Sequence, residues 1–199
     1  MAPLSSNFSY LFYEQIASTE GRAMSLDERP ALYAWYRAIG LSERASTADE
    51  FLRHIDRLLG QRLSALFKGT LGGLYSTQIQ EIATTLPASK AELLSSLAHD
   101  EDARRHVSGI LDRATFVQSP LYIGKASNLR RRVGEHLNQS SDLATRLRRE
   151  AGISMSDCIL RFQYVPPFTE VPGGREDVIL LIEDILTRIS PAAFVRKSG

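Results

Sequence analysis

The chain has 199 residues, of which 43% are hydrophobic and 24% charged, with a net charge of +1; this excludes a disordered or polybasic chain and fits one good-sized domain or two small ones. A single cysteine, Cys158, excludes an intramolecular disulfide and a cysteine cluster for zinc, and favours a reducing compartment. The longest apolar stretch, Val178 to Ile182, is too short for a membrane span, and MAPLSSNFSYLFYEQ lacks a basic leader followed by a long apolar run, so a cytoplasmic location with no membrane partner is expected.

In chain order, a short helix is predicted near Tyr10 to Ser18, ahead of a break at Asp27-Glu-Arg-Pro30. The aromatic run Ala31-Leu-Tyr-Ala-Trp-Tyr36 reads as a strand. From Thr47 the pattern turns helical. Thr47 and Glu50 have capping-box spacing, and Phe51, Ile55, Leu58, Leu59, Leu63 and Leu66 follow at helical intervals. Gly69-Thr-Leu-Gly-Gly73 reads as a turn-rich break, a candidate hairpin running to Ile79. Ser89 and Glu92 suggest a second capping box opening a helix to about Ala98. A further helix is predicted over Asp100 to Phe116, with Val107, Ile110, Leu111 and Ala114 on one face.

Pro120 then introduces a short strand, Leu121-Tyr-Ile123, ended by Gly124. Ser127 or Asn128 caps a helix bearing Leu129, Val133 and Leu137 at i, i+4 and i+8. Another helix is predicted from about Ser141 to Glu150, a strand over Ile159 to Val165, and a final helix from Arg175 to Ile189, stopped by Ser190-Pro191. The fold class expected is α+β.

Charge is unevenly placed. Lys125, Arg130, Arg131, Arg132, Arg146, Arg148 and Arg149 crowd a stretch whose acids are Glu135, Asp142 and Glu150, so an anionic partner would meet the chain there. Within it, Lys125 follows a strand, and Arg132 and His136 share one helix face by their i, i+4 spacing. With Tyr122 they form a set suited to a phosphodiester: cations stabilise developing charge on phosphoryl oxygens, and His or Tyr moves a proton. The alternative for Arg130 to Arg132 is a solvated helix face; for His136 and Tyr122 it is a structural role.

The segment Tyr122-Ile123-Gly124-Lys125, followed by Asn128-Leu129-Arg130-Arg131-Arg132 and His136, closely resembles the second half of the GIY-YIG nuclease signature. In that family a strand ending YIG or YVG, with Gly124 at the motif glycine here, leads through a turn into a helix bearing a catalytic arginine. The arginine lies ten residues after the tyrosine, the position of Arg132, and a tyrosine or histidine follows four residues later, as His136 does. The resemblance covers about 16 contiguous residues. It implies a small central sheet flanked by helices, and metal-dependent hydrolysis of DNA.

The family needs a carboxylate for its divalent metal on a later helix. Glu183 stands in an apolar helix, with Ile179 and Leu180 one turn before it and Leu186 and Thr187 one turn after; an acid there is costly unless paired or coordinated. That makes Glu183 the candidate ligand for Mg²⁺ or Mn²⁺. Its alternative is an ion pair with an arginine of a neighbouring helix.

The family's first strand has two candidates. Gly109-Ile110-Leu111 lies at the usual distance but lacks the tyrosine and reads as helix; Ala31-Leu32-Tyr33 has the tyrosine but no glycine. The second is preferred. It makes residues 1–199 a single nuclease-like domain with core segments 30–37 and 119–192 and a mostly helical insertion over about 45–117. Such an insertion could grip substrate or a partner subunit. One departure is the absence of the family's asparagine in Pro191-Ala-Ala-Phe-Val195.

The resemblance thus implies catalytic roles for Tyr33, Tyr122, Lys125, Arg132 and His136, and metal binding by Glu183. Arg130, Arg131, Arg146, Arg148 and Arg149 are expected to bind DNA backbone phosphates. The expected partners are DNA and, as a further candidate, a second copy of the chain in a homodimer, with nucleoid association when DNA is bound. The other reading is a weakened or inactive GIY-YIG-like module that binds DNA without cutting it.

Overall fold

A computed structural model of the chain describes residues 9–12, 16, 26–60, 69–71, 75–77, 86–166 and 174–189. In chain order its elements are β1 (Ser9–Phe12), β2 (Ala31–Arg37), α1 (Leu41–Arg44), α2 (Ala48–Gly60), β3 (Gly69–Leu71), β4 (Tyr75–Thr77), α3 (Ala88–His99), α4 (Glu101–Arg113), a 3-10 turn (Ala114–Val117), β5 (Tyr122–Ala126), α5 (Leu129–Leu137), α6 (Asp142–Ala151), a second 3-10 turn (Met155–Asp157), β6 (Cys158–Tyr164) and α7 (Gly174–Ile189). The fold is α+β, built on a four-stranded antiparallel sheet of order β1-β6-β2-β5. No helix among the described residues is long and apolar enough to cross a membrane. The chain forms two compact units: Met1–Ala38, Thr115–Leu147 and Ile153–Gly199; and Ile39–Ala114 with Arg148–Gly152.

The first unit holds the sheet. Both edges of β2 are paired, with β6 and with β5, which suits its aromatic composition: Tyr33 and Trp35 are buried on one face and Leu32 on the other. Opposite faces follow from the two-residue period of a strand. The start of the helix expected near Tyr10 to Ser18 is replaced over Ser9–Phe12 by β1, which pairs with Phe162 to Ile159, while Ile16 is helical as expected. A short helix offers few hydrogen bonds for the residues it fixes, whereas the open edge of β6 supplies a ready ladder. Residues 13–15, 17 and 18 of that expected helix lie outside the described residues.

Gly124 does not end its strand. It sits inside β5, directly opposite Tyr33, and the strand continues to Ala126. Its role is space. A Cβ there would lie 2.6 Å from the Tyr122 ring and 2.8 Å from the Tyr33 hydroxyl. Gly124→Ala is therefore expected to push both tyrosines from their places and to lower stability by about 1–3 kcal/mol, the range for overpacking. A denaturant midpoint equal to that of the parent chain would refute this reading.

Asn128 caps α5, its side chain accepting from the Arg131 N–H. Leu129 and Val133, one turn apart, are fully buried, while Leu137 is partly so. Ser141 caps α6 by accepting from the Ala144 N–H. On α7, Ile179 packs with Leu32 and Val165, flanked by Ile182 and Leu186. The expected stop at Ser190-Pro191, and Val195, lie outside the described residues.

The second unit contains α1 to α4 and the hairpin β3–β4, so the stretch between β2 and β5 is not helical throughout. Phe51 and Ile55 of α2 join Leu41, Ala45 and Ala98 in its core. Thr47 and Glu50 form the expected capping box, at 3.2 Å and 3.1 Å. Leu63 and Leu66 lie outside the described residues. Ser89 and Glu92 do not cap α3, which starts earlier: Pro87 stands at the cap, its carbonyl taking the first backbone bonds. Proline's fixed φ suits that entry. On α4, Val107 and Leu111 face the core with buried Ser108, but Ile110 is 58% exposed. The buried stripe centres between Val107 and Ser108, which leaves Ile110 about 100° round the helix. Gly109-Ile110-Leu111 is thus helix, not strand. Asp112 accepts from the backbone N–H groups of Leu41 and Ser42 at 2.8 Å and 2.9 Å, clasping the beginning of this unit to its end.

Candidate active site

Strand β5 and helix α5 meet a phenol from about a hundred residues earlier in the chain. Tyr33 of β2 is 2% exposed, and its hydroxyl lies 2.7 Å from Nε2 of His136 and 3.3 Å from Nε of Arg132. Both partners come from α5, whose i, i+4 spacing aims them the same way. Tyr122 completes the cluster: its ring centroid is 5.9 Å from Tyr33 and 5.3 Å from His136. Gly124 leaves the gap across which the two tyrosines approach.

The protonation states follow from burial. Burial pushes the Tyr33 phenol well above its ordinary range, with Tyr122 adding to it and Arg132 opposing, so Tyr33 keeps its proton. Burial lowers His136 to about 4, helped by the charge of Arg132 and opposed by Glu135. Burial also works against the charge on Arg132, but its hydrogen bond to Glu135 and its contact with Tyr33 outweigh that and hold it as a firm cation. A guanidinium can only donate. The consistent arrangement has Arg132 donating to the Tyr33 oxygen and Tyr33 donating to Nε2, which leaves the imidazole proton on Nδ1.

His136 therefore makes stability depend on pH. Unfolded, it titrates at about 6.5. Between that value and about 4 the unfolded chain binds a proton that the folded chain does not. Stability is present above pH 6.5 and falls as the pH drops through this window, by about 3 kcal/mol in total. Urea unfolding of the parent chain and of His136→Gln, from pH 7 to pH 4, is expected to show their difference changing by that amount; a difference independent of pH would contradict it.

The other face of β5 carries the acid. Lys125 pairs in register with Leu32, against which Ile179 packs; Glu183 is one helical turn beyond Ile179. Glu183 Oε2 lies 3.9 Å from Lys125 Nζ, with the acid side chain 25% exposed. Its partner is thus a strand lysine, not a helix arginine. Burial raises the Glu183 carboxyl, with Lys125 and Arg132 opposing. Because β5 is an edge strand, Tyr122, Arg132 and His136 from one face and Glu183 from the other line a common cleft of about 360 Å³. Glu135, Ser141, Asp142 and Arg146 also line it.

Among the described residues no group of three or more His, Cys, Asp or Glu could hold a metal together. Mg²⁺ needs no such cage, since it binds through one or two carboxylates with waters and phosphate oxygens. A partly buried carboxylate in a polar cleft, its charge opposed by burial, fits that donor set.

The remaining arginines are distributed differently. Arg130 donates to the Leu26 carbonyl at 2.6 Å and to Glu28 at 3.2 Å, tying α5 to the segment before β2. Arg131 pairs with Glu135 at 2.6 Å. Arg146 is in the cleft, 3.2 Å from Asp142. Arg148 and Arg149 are exposed and do not line the cleft; Arg149 pairs with Glu150 at 2.7 Å. Sequence reasoning missed Glu135, although its spacing of three from Arg132 and four from Arg131 is the signal of a helical ion pair. Comparison of the chain with protein-family models, with curated proteins and with solved structures found no match.

Proposed function

We propose that the chain is a metal-dependent DNA endonuclease of the GIY-YIG type. The observation that carries the reading is that Arg132 and His136, which line a cleft together with Glu183, converge on the buried Tyr33 hydroxyl. In this mechanism Tyr33 takes a proton from the attacking water as it passes its own to His136 Nε2. The water oxygen bonds to phosphorus and the phosphoester P–O bond breaks in line. Arg132 and Lys125 stabilise charge developing on the phosphoryl oxygens. Mg²⁺ or Mn²⁺ held by Glu183 would supply Lewis-acid stabilisation of the departing oxygen. Exposed Arg131, Arg148 and Arg149 add backbone-phosphate affinity that weakens with salt. The enzyme on this reading works in the cytoplasm and associates with the nucleoid when bound to DNA.

The test is nicking of supercoiled plasmid in Mg²⁺ or Mn²⁺ against EDTA. The parent chain is expected to nick; Glu183→Ala is expected to bind DNA but to lose cleavage by at least about 10²-fold, as when one charge-stabilising group is removed. Full metal-dependent nicking by Glu183→Ala would overturn the metal assignment. A second reading, a module that binds DNA without cutting it, draws on the Lys125–Glu183 pair, which engages both a phosphate-binding cation and the metal carboxylate. DNA binding by the parent chain without nicking in either metal would select it.

A further inference from the structure

Each cation lining or bordering the cleft has an internal carboxylate beside it: Lys125 has Glu183, Arg146 has Asp142 and Arg132 has Glu135. Glu135 holds two arginines at once. One oxygen lies 2.6 Å from Arg131 and the other 2.8 Å from Arg132. The Arg132 nitrogen so engaged is Nη1, while Nε is turned to Tyr33. A carboxylate and a phosphodiester are alternative partners for a guanidinium: both are anions that accept parallel N–H bonds. Glu135 is 41% exposed, and exposed ion pairs of this kind are weak enough to exchange.

We propose that Glu135 is a specificity-determining residue that acts as an internal counter-anion, occupying the phosphate seat of Arg132 until a phosphodiester exchanges for it. A simple anion gains only what the carboxylate already provides, and it meets the repulsion of Glu135 itself. A nucleic-acid strand brings further contacts, to Lys125 and Arg146, and so can displace the side chain. Glu135 thereby screens free phosphate out of the cleft. The inference rests on the phosphate-binding role given to Arg132 above.

The test follows the Nε–H resonance of Arg132 by nitrogen-15 NMR during titration with inorganic phosphate. Glu135→Gln is expected to reach its half-shift at about tenfold lower phosphate than the parent chain, the scale of removing one nearby like charge at a partly exposed site. Glu135→Ala, which cannot hold the guanidinium, is expected to behave likewise, and serves if the glutamine variant does not fold. Equal titration in parent and variants overturns the proposal, as does a gain confined to the Arg131 resonance. The two readings fail separately. Enhanced phosphate response with uncut plasmid keeps this inference and sinks the nuclease; nicking with identical phosphate titrations does the reverse.

Discussion

On the proposed nuclease reading, Arg132→Ala is expected to lower the single-turnover rate of DNA cleavage by about 10²- to 10³-fold, the usual loss when one preorganised donor to a developing oxyanion is removed. The magnitude rests on preorganisation. The guanidinium is fixed at Nε by Tyr33, at 3.3 Å, on a helix whose face also carries His136, so little reorganisation remains when charge builds on the phosphoryl group. Arg132→Lys is expected to recover little of the rate. An ammonium has no planar fork and cannot meet Tyr33 and a phosphoryl oxygen at once in the directions a guanidinium does. Affinity for DNA should fall far less than rate, because other cations contribute to binding. A lysine variant that cleaves at the parent rate would show that a point charge suffices and that the fork geometry is irrelevant.

Tyr33→Phe is expected to reduce the same rate by about 10²- to 10⁴-fold, the range for a positioned acid–base group. The variant keeps the ring, and with it the packing against Tyr122 across Gly124, but removes the only hydroxyl shared by His136 and Arg132 among the hydrogen bonds described. Leaving a buried imidazole nitrogen without that partner costs about 1–3 kcal/mol of stability. Calorimetry therefore accompanies the kinetics: a rate loss in protein that remains folded at the assay temperature isolates the chemical role. The pH profile gives a further check. His136 stays neutral down to about 4, so the acid limb of the parent rate is expected near that value instead of near the ordinary histidine range. At alkaline pH no rise from tyrosinate formation is expected through pH 9, since burial holds the phenol protonated. An acid limb near 6.5 would remove His136 from the relay.

Much of the site could be read in the sequence because its parts are local. Tyr122 to Lys125 and Asn128 to His136 are contiguous, and helical spacing alone puts Arg132 and His136 on one face. Glu183 was legible because an acid in an apolar helix needs an account. Tyr33 was harder: it meets His136 across 103 residues, and strand composition identified the segment without showing its partner. Gly124 reads in the sequence as a strand end, whereas its purpose is the space between Tyr122 of its own strand and Tyr33 of the neighbouring one, a pairing no local pattern records. The same limit explains β1, whose hydrogen bonds are supplied by β6 from the far end of the chain. Arg130 shows the converse: its run of three arginines suggests one shared task, yet its bonds to Leu26 and Glu28 give it a partly architectural one.

The clasp of Asp112 on Leu41 and Ser42 bears on how the sheet is assembled. Strands β2 and β5 are neighbours in the sheet, yet Arg37 and Tyr122 are separated by a folded unit with its own core. A loose loop of that length would be a long, fluctuating tether. A unit whose first and last segments are already bonded together presents the strands with a short effective connection, and closure entropy grows only slowly with length in any case. The stretch thus closes on itself at Leu41, Ser42 and Asp112, outside the register that pairs Tyr33 with Gly124.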